Sequence, residues 1–385
     1  MNINIISFTG FDSLSGSNLR LFFLAKEMIR RGNRVKFITP GKSDAASCER
    51  RFGAEAVDLG LEIKRFESSR LKKYPVFALR APKKVDNDAE LVFGQSLPSA
   101  LAVRRSKTKA KKVIDYVDLW SEYWLFANPG IKGRMVYGAV RRAESHSMNV
   151  DRVLTITDAL KSMLVERGAE KERVSIVRDG VDTRMFSERA VPESFYERYG
   201  IEKGTDYVLY QGGIAAHDGV QFLVDAASMV LKQSPGTKFL IVGDGEYLPV
   251  IKQSVMNLGM EDSFVFTGWV PYEDMPYFMN VTKLNIVPIP DSPATRGVVT
   301  LKLFEAMACG TPTVIGDMPG VREAVKHKES AYLLNPENQR HLANGISELM
   351  DSRSLYQRIR KNGMKLAGQH DWRDIAREMA DVAGC

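Results

Sequence analysis

Between Ser292 and Thr313 the chain reads S-P-A-T-R-G-V-V-T-L-K-L-F-E-A-M-A-C-G-T-P-T, and the chemistry open to this segment is anion binding. Thr300 suits an N-cap, Leu301 to Cys309 is rich in helix formers, and Gly310 followed by Pro312 is a stop signal. The N–H groups at Thr300, Leu301 and Lys302 then have no helical partners and sit at the positive end of a helix, a setting that suits a diphosphate. Lys302 adds a full positive charge. Arg296, just upstream, can grip a phosphate bidentately. Glu305, one turn inward, can accept from two vicinal ribose hydroxyls, or else is a buried carboxylate meeting a backbone donor.

Two further places could carry chemistry. Asp115 and Asp118, in V-I-D-Y-V-D-L-W, follow an apolar run. Either carboxylate could orient or deprotonate an acceptor hydroxyl, and Asp118 also fits a cap for the next helix. His217, in Q-G-G-I-A-A-H-D, either contacts a phosphate or sugar or is an exposed loop histidine. No His, Cys, Asp or Glu grouping has metal-ligand spacing, and no Ser/His/Asp order suggests a hydrolase. No metal or organic cofactor is expected.

The elements that must hold these residues alternate between short apolar runs and amphipathic helical lengths, the pattern of parallel sheets with crossover helices. The first series comprises Ile3–Phe8, Val35–Thr39, Leu91–Phe93, Lys112–Asp115 and Val153–Thr157. After its opening strand come a Gly/Ser loop, Gly10–Ser17, and a helix to Arg31. The second series comprises Tyr207–Gln211, Lys238–Val242, Phe264–Thr267, Leu284–Val287 and Thr313–Ile315. Between the two series the polar stretch Ser187–Thr205, with Pro192, Gly200 and Gly204, reads as a linker. A last helix spans about Trp372 to Val382. No repeat or low-complexity tract is present.

Several strings together resemble a known family. L-K-L-F-E-A-M-A-C-G-T-P-T-V resembles the nucleotide-sugar signature of family 4 (group 1) glycosyltransferases. Arg178-Asp-Gly-Val-Asp182, Tyr210–Val220, Ile241-Val-Gly-Asp-Gly245, Phe266-Thr-Gly268 and Val113–Glu122 resemble its other motifs in the same order. The resemblance implies the GT-B fold: α/β, two Rossmann-like domains with parallel sheets facing a central cleft. The N-terminal acceptor domain would span 1–190, the linker 191–205 and the nucleotide-sugar donor domain 206–369, with a helix at about 370–385 packing back on the first domain.

The activity implied is retaining transfer of a sugar from a nucleoside diphosphate sugar to a hydroxyl of a glycan or lipid-linked acceptor, as in cell-surface polysaccharide or glycolipid synthesis. By position, Glu305 matches the ribose-binding glutamate, and Thr300 and Leu301 match the amides at the phosphates. Gly16 matches the glycine that lets the first domain approach the diphosphate, and Gly213 and Gly243 fall in the donor-side loops. The family often has two glutamates with seven residues between them; the first falls at Gly297. Its diphosphate-clamping Arg and Lys fall at Gly213 and Asp218, and its histidine falls at Val117. Lys302, with Arg296, is then the replacement cation. Given these departures, the rival readings are a non-catalytic nucleotide-sugar-binding relative, or an epimerase or hydrolase on the same fold. Gly243-Asp-Gly245 is only half of a dinucleotide fingerprint, which leaves a dehydrogenase weakest.

Composition agrees with a globular two-domain chain: 385 residues, 44% hydrophobic and 26% charged. The net charge of +7 is uneven. Residues 1–150 hold 27 Lys/Arg against 15 Asp/Glu, and the remainder 27 against 32. Arg104–Lys112 alone packs six positive charges into nine residues, joined by Lys72, Lys73, Arg80, Lys83, Lys84, Lys132, Arg134, Arg141 and Arg142. Such a run is either a solvated face or an attraction to an anionic membrane surface. Nucleic acid is not expected, because no aromatic-basic interleaving accompanies it. Cys48, Cys309 and Cys385 are too scattered for a disulfide framework. No signal peptide or long apolar span is apparent, so the expected location is cytoplasmic, with at most peripheral contact at the inner membrane face.

Overall fold

The computed structural model describes residues 1–11, 16–61 and 70–385; positions 12–15 of the Gly10–Ser17 loop and the Lys72 side chain lie outside the described part. Two compact units are present, Met1–Asp179 with Trp372–Cys385, and Gly180–Asp371.

In unit 1, β1 (Asn2–Ile6), β2 (Arg34–Thr39), β3 (Glu55–Asp58), β4 (Leu91–Gln95), β5 (Lys111–Tyr116), β6 (Arg152–Thr155) and β7 (Val174–Ile176) form a seven-stranded sheet ordered β3-β2-β1-β4-β5-β6-β7. Every pairing is parallel. The central strands are apolar throughout because both faces are covered: Ile3, Ile5, Val92 and Phe93 are fully buried. Ile5 stands level with Phe37 on one side and Phe93 on the other.

Unit 2 repeats the design with β8 (Tyr207–Gln211), β9 (Lys238–Val242), β10 (Phe264–Gly268), β11 (Leu284–Val287), β12 (Thr313–Gly316) and β13 (Tyr332–Leu334), ordered β10-β9-β8-β11-β12-β13. The chain reverses direction across the sheet between β1 and β4 in unit 1, and between β8 and β11 in unit 2. At such a switch point two successive loops diverge and leave a crevice beyond the strand ends, where ligands bind in open α/β sheets. Gln95 and the helix after it stand at the first crevice. Gly212, Gly213 and the segment leading to Thr300 stand at the second.

Two features differ from the sequence reading. The 191–205 segment is not a bare linker: Glu193–Tyr199 is a helix within unit 2, and Phe195 is buried edge-on to Phe278, ring centroids 4.8 Å apart. The change of unit comes earlier, at Asp179–Gly180. The outer strands β3, β7 and β13 have three or four residues each, too short to show a period. The last helix, Trp372–Ala383, belongs to unit 1, where Trp372 stacks on Phe23 and Asp381 pairs with Arg31 at 2.7 Å.

Candidate active site

In unit 2 the signature segment folds as the helix Leu301–Ala308 with Thr300 at its N-cap. The Thr300 side chain makes no capping bond, so it leaves the first-turn amides, Leu301 and Lys302 among them, unoccupied by a cap. Lys302 leans from this turn back across the end of β8. Its Nζ donates to Tyr210 Oη at 3.1 Å, lies 3.4 Å from Asp218 Oδ1 and stands 4.6 Å from the centre of the Tyr210 ring. Asp218 is itself fixed, since its Oδ2 accepts from the Ala215 amide at 3.0 Å.

Close backbone packing makes room for this lysine. A Cβ on Gly212, at φ +119°, would stand 2.4 Å from Lys302 Cε. A Cβ on Gly243, at φ +136°, would stand 1.9 Å from the Gly212 carbonyl oxygen, so the loops after β8 and β9 lie main chain against main chain. Gly213 has no such constraint: its Cβ would meet Asp218 at an ordinary 3.8 Å. The steric requirement therefore falls on Gly212, and Gly213 contributes its carbonyl, which accepts from Tyr210 Oη.

Glu305 is 4% exposed and meets side chains rather than a backbone donor. Tyr272 Oη donates to its Oε1 at 2.6 Å, and Gln211 Nε2 to its Oε2 at 3.2 Å. Burial raises its pKa, and the two donors act against that rise. Each carboxylate oxygen can accept more than one bond, so Glu305 keeps capacity for a hydroxyl donor. His217 is half-buried 4.0 Å from Asp218, and burial lowers its pKa, which favours the neutral ring. Arg296 departs from the sequence reading. Its guanidinium lies along Asp291, at 3.3 and 3.0 Å, on an exposed turn, so it reaches a phosphate only by exchanging that carboxylate for it.

In unit 1, Gly16 is the exposed first residue of the helix Gly16–Arg30. Asp115 is fully buried: Arg20 Nε donates to it at 2.8 Å and Gln95 Nε2 at 3.1 Å. Arg20 also reaches Asp179 Oδ1 at 3.2 Å and the Arg178 carbonyl at 3.0 Å. The expectation of a catalytic Asp115 is corrected here, because an enclosed carboxylate committed to an arginine has no surface for a substrate. Asp118 is only partly buried. Ser96, held at φ +47°, donates its hydroxyl to Asp118 Oδ1 at 3.2 Å. A non-glycine residue in the left-handed region is uncommon and often marks a functional position. Burial, helped by the charges of Glu144 and Asp115, pushes the Asp118 pKa up to about 6. A carboxylate with such a pKa is a competent base near neutral pH.

Comparison with known proteins identifies the chain. Residues 14–185 match the family model described as Glycosyltransferase Family 4, and residues 193–366 match the one described as Glycosyl transferases group 1. The chain belongs to the family 4, group 1 glycosyltransferases. A GDP-mannose-dependent α-(1-6)-phosphatidylinositol monomannoside mannosyltransferase of Mycobacterium tuberculosis is 23% identical over 342 residues, 86% of each protein. An α-D-kanosaminyltransferase of Streptomyces kanamyceticus is 28% identical over 170 residues, 44% of this chain and 42% of the relative. The chain spans about half the length of several curated relatives that it matches, 52% of a mannosylfructose-phosphate synthase of Agrobacterium fabrum for example. Among solved structures, sucrose-phosphate synthase of Thermosynechococcus elongatus superimposes with a TM-score of 0.81 at 19% identity, covering 99% of this chain and 98% of that one. The fold is of the GT-B class.

Within this glycosyltransferase, the site residues that sequence reasoning missed are Gly212, Tyr210, Gln211, Tyr272 and Arg20. Only Gly212 left a trace, as the first of two adjacent glycines after a strand. The others are ordinary apolar-strand, turn or helix residues whose roles arise from partners distant in the chain, 92 positions away for Tyr210 and Lys302.

Proposed function

We propose that this glycosyltransferase transfers a sugar, with retention of anomeric configuration, from a nucleoside diphosphate sugar to a hydroxyl of a glycan or lipid-linked acceptor. The observation that supports this best is the placement of Lys302. The family's two diphosphate cations fall at Gly213 and Asp218, and Lys302 brings an ammonium from another helix to the Asp218 position. The leaving diphosphate gains charge in the transition state. An ammonium beside uncapped helix amides is an arrangement that stabilises such charge most as it develops. Glu305 is assigned the ribose hydroxyls and His217 a neutral contact to phosphate or sugar. Asp118 is assigned the acceptor hydroxyl, whose proton it would orient or accept. No metal ion is needed in this scheme.

The test is a panel of nucleoside diphosphate sugars scored for binding and for nucleotide release, with and without a lipid-phosphate acceptor, and repeated in EDTA. Acceptor-dependent release of one nucleoside diphosphate, unaffected by EDTA and giving a product of the donor's anomeric configuration by proton NMR, is expected. Binding without release would instead support a non-catalytic relative, and release independent of acceptor a hydrolase.

One surface favours an acceptor presented at a membrane. On the helix Ile131–Ser147, Ile131 and Met135 are 81% and 74% exposed, flanked by exposed Lys132, Arg134, Arg141 and Arg142. The helix's one acidic residue, Glu144, is buried against Arg167 and Ser121. An exposed apolar face flanked by cations on the same helix suits anionic lipid. Sedimentation with anionic but not zwitterionic vesicles, lost in Ile131→Asp/Met135→Asp, is expected; no sedimentation with either would remove this reading.

A further inference from the structure

The opposite end of the unit 1 sheet, where its strands begin, carries a second concentration of charge that the transfer reaction does not use. A recess of about 350 Å³ is lined there by Arg104, Thr108, Lys109, Lys112, Asp151 and Arg173, among others. That volume falls in the range of small-ligand sites, ~300–1,000 Å³. Its walls come from four separate segments: the end of the helix Ser96–Arg105, the loop into β5, the loop into β6 and the turn before β7. Asp115 and Asp118 stand at the other end of the unit, at and just beyond the end of β5.

The positive charge in this recess is poorly compensated. Of the four cations, Arg173 is paired with Glu170 at 2.7 Å, and Lys112 Nζ donates to the Ser106 carbonyl at 2.7 Å. The one lining carboxylate, Asp151, accepts from the Lys112 backbone amide at 2.7 Å. Neither Arg104 nor Lys109 has a carboxylate partner among the described residues, and Arg104 Nε is buried without a hydrogen-bond acceptor. Burial and the charge of Arg104 both lower the pKa of Lys112, and the charge of Asp151 offsets only part of that. Attraction to the carbonyl end of the helix would account for Arg104 and Arg105 alone. It does not account for the convergence of Lys109, Lys112 and Arg173 from other segments.

We propose that this recess is a phosphate-binding site, in which Arg104 and Lys109 hold the dianionic phosphate group of a ligand distinct from the sugar donor. A guanidinium supplies paired donors to two phosphate oxygens, and an exposed lysine closes on the third as a point charge. The phosphate belongs either to a free phosphorylated solute or to a lipid headgroup. These sources share the chemistry and are separated by experiment.

The full-length protein is titrated with inorganic phosphate at constant ionic strength, following its melting temperature, alongside four variants. Wild type and Arg105→Ala/Lys107→Ala are expected to show the same saturable rise, and Lys302→Ala, which weakens the donor site, is expected to keep a saturable rise. Arg104→Ala/Lys109→Ala is expected to lose it, with affinity lowered about tenfold or more. Lys109→Ala alone, at an exposed side chain that cannot compromise folding, should weaken it severalfold. In parallel, retention on phosphatidylcholine vesicles with and without phosphatidate is compared. Phosphatidate-dependent retention that falls in Arg104→Ala/Lys109→Ala but not in Arg105→Ala/Lys107→Ala assigns the site to a lipid headgroup. A phosphate response with retention unchanged between these variants assigns it to a soluble ligand. The proposal is overturned if both double variants respond alike, if the response is lost only in Lys302→Ala, or if wild type responds to neither probe. None of these readouts requires a sugar nucleotide, so the outcome is independent of whether the transfer activity is found.

Discussion

At the C-terminal edge of the first sheet, Arg20, Asp115 and Asp179 close on one another with side-chain exposures of 2%, 0% and 9%; at the matching edge of the second, Lys302 and Asp218 keep 14% and 15%. Both groups pair a cation with carboxylates beyond the strand ends of a doubly wound sheet. In the first, every ion is enclosed and the guanidinium also binds a backbone carbonyl, so no anion from solution can replace a partner. In the second, the one carboxylate contact of the ammonium, at 3.4 Å, is in reach of water beside the neutral Tyr210 hydroxyl, and an incoming phosphate can compete for it. The same residue types therefore serve architecture in one unit and presentation in the other, and burial is what separates them.

The sharpest way to break this contrast is to remove Arg20. Arg20→Met would leave Asp115 and Asp179 enclosed without a counter-charge, and losing one partner of a buried network typically costs about 3–5 kcal/mol. Urea unfolding should show a loss of that size. A loss below about 1 kcal/mol would mean that the enclosed network does not hold this edge together.

On the other edge the order of effects reverses. Lys302→Ala should leave the melting temperature nearly unchanged while lowering nucleoside diphosphate affinity by about ten- to a hundredfold, the worth of a charge-assisted hydrogen bond. Calorimetric titration measures it, and an affinity within about twofold of wild type would end the assignment. Asp218→Asn sharpens the point. Freed from its carboxylate, Lys302 should bind the diphosphate severalfold more tightly; weaker binding would show that Asp218 positions the lysine rather than competes for it.

The pH dependence of stability isolates Asp118. Its folded pKa, up to about 6, lies above the ~3.9 of an unfolded chain, so folding favours its protonated form. Below pH ~4 the group is protonated in both states and contributes nothing. As pH rises through 6 the folded protein must ionise it in an unfavourable setting, at a cost of about 1–2 kcal/mol after allowing for partial solvation. Asp118→Asn removes that cost. The variant should therefore be more stable than wild type at pH 7.5, with the gain shrinking to zero by pH 4. Asp179, also pushed up to about 6 by burial, titrates in the same window, so the difference between variant and wild type carries the result. A pH-independent difference would remove the assignment.

What was legible in the sequence follows the same divide. Strands β8, β9 and β11 are read to the residue, because runs such as Y-V-L-Y-Q and K-F-L-I-V are apolar on both faces and end in turn residues. The helix around Glu305 is legible from its cap and stop residues. Three-residue edge strands such as Val174–Ile176 carry too few positions to show alternation. At the site, charge is legible but commitment is not. Arg296 and Asp115 both read as available groups, and each is held by a partner, one five positions away and one 95. Lys302 reads correctly as a cation near the phosphate loop, but its meeting with Asp218, 84 positions earlier, exists only in the folded chain.

The smallest expected effect tests whether Glu305 belongs to the presenting or the enclosed class. It is as buried as the Arg20 network, yet its partners are the neutral donors Tyr272 and Gln211 rather than an arginine. Tyr272→Phe removes one donor without changing the carboxylate, so its already raised pKa should rise further. If Glu305 serves the ribose, the variant should bind nucleoside diphosphates about fivefold more weakly at pH 7, in keeping with a lost hydrogen bond of about 1 kcal/mol. The deficit should widen as pH falls, because a protonated Glu305 accepts less well from a hydroxyl. If Glu305 is only architectural, the same substitution lowers stability by a similar amount and leaves affinity, at every pH, where it was.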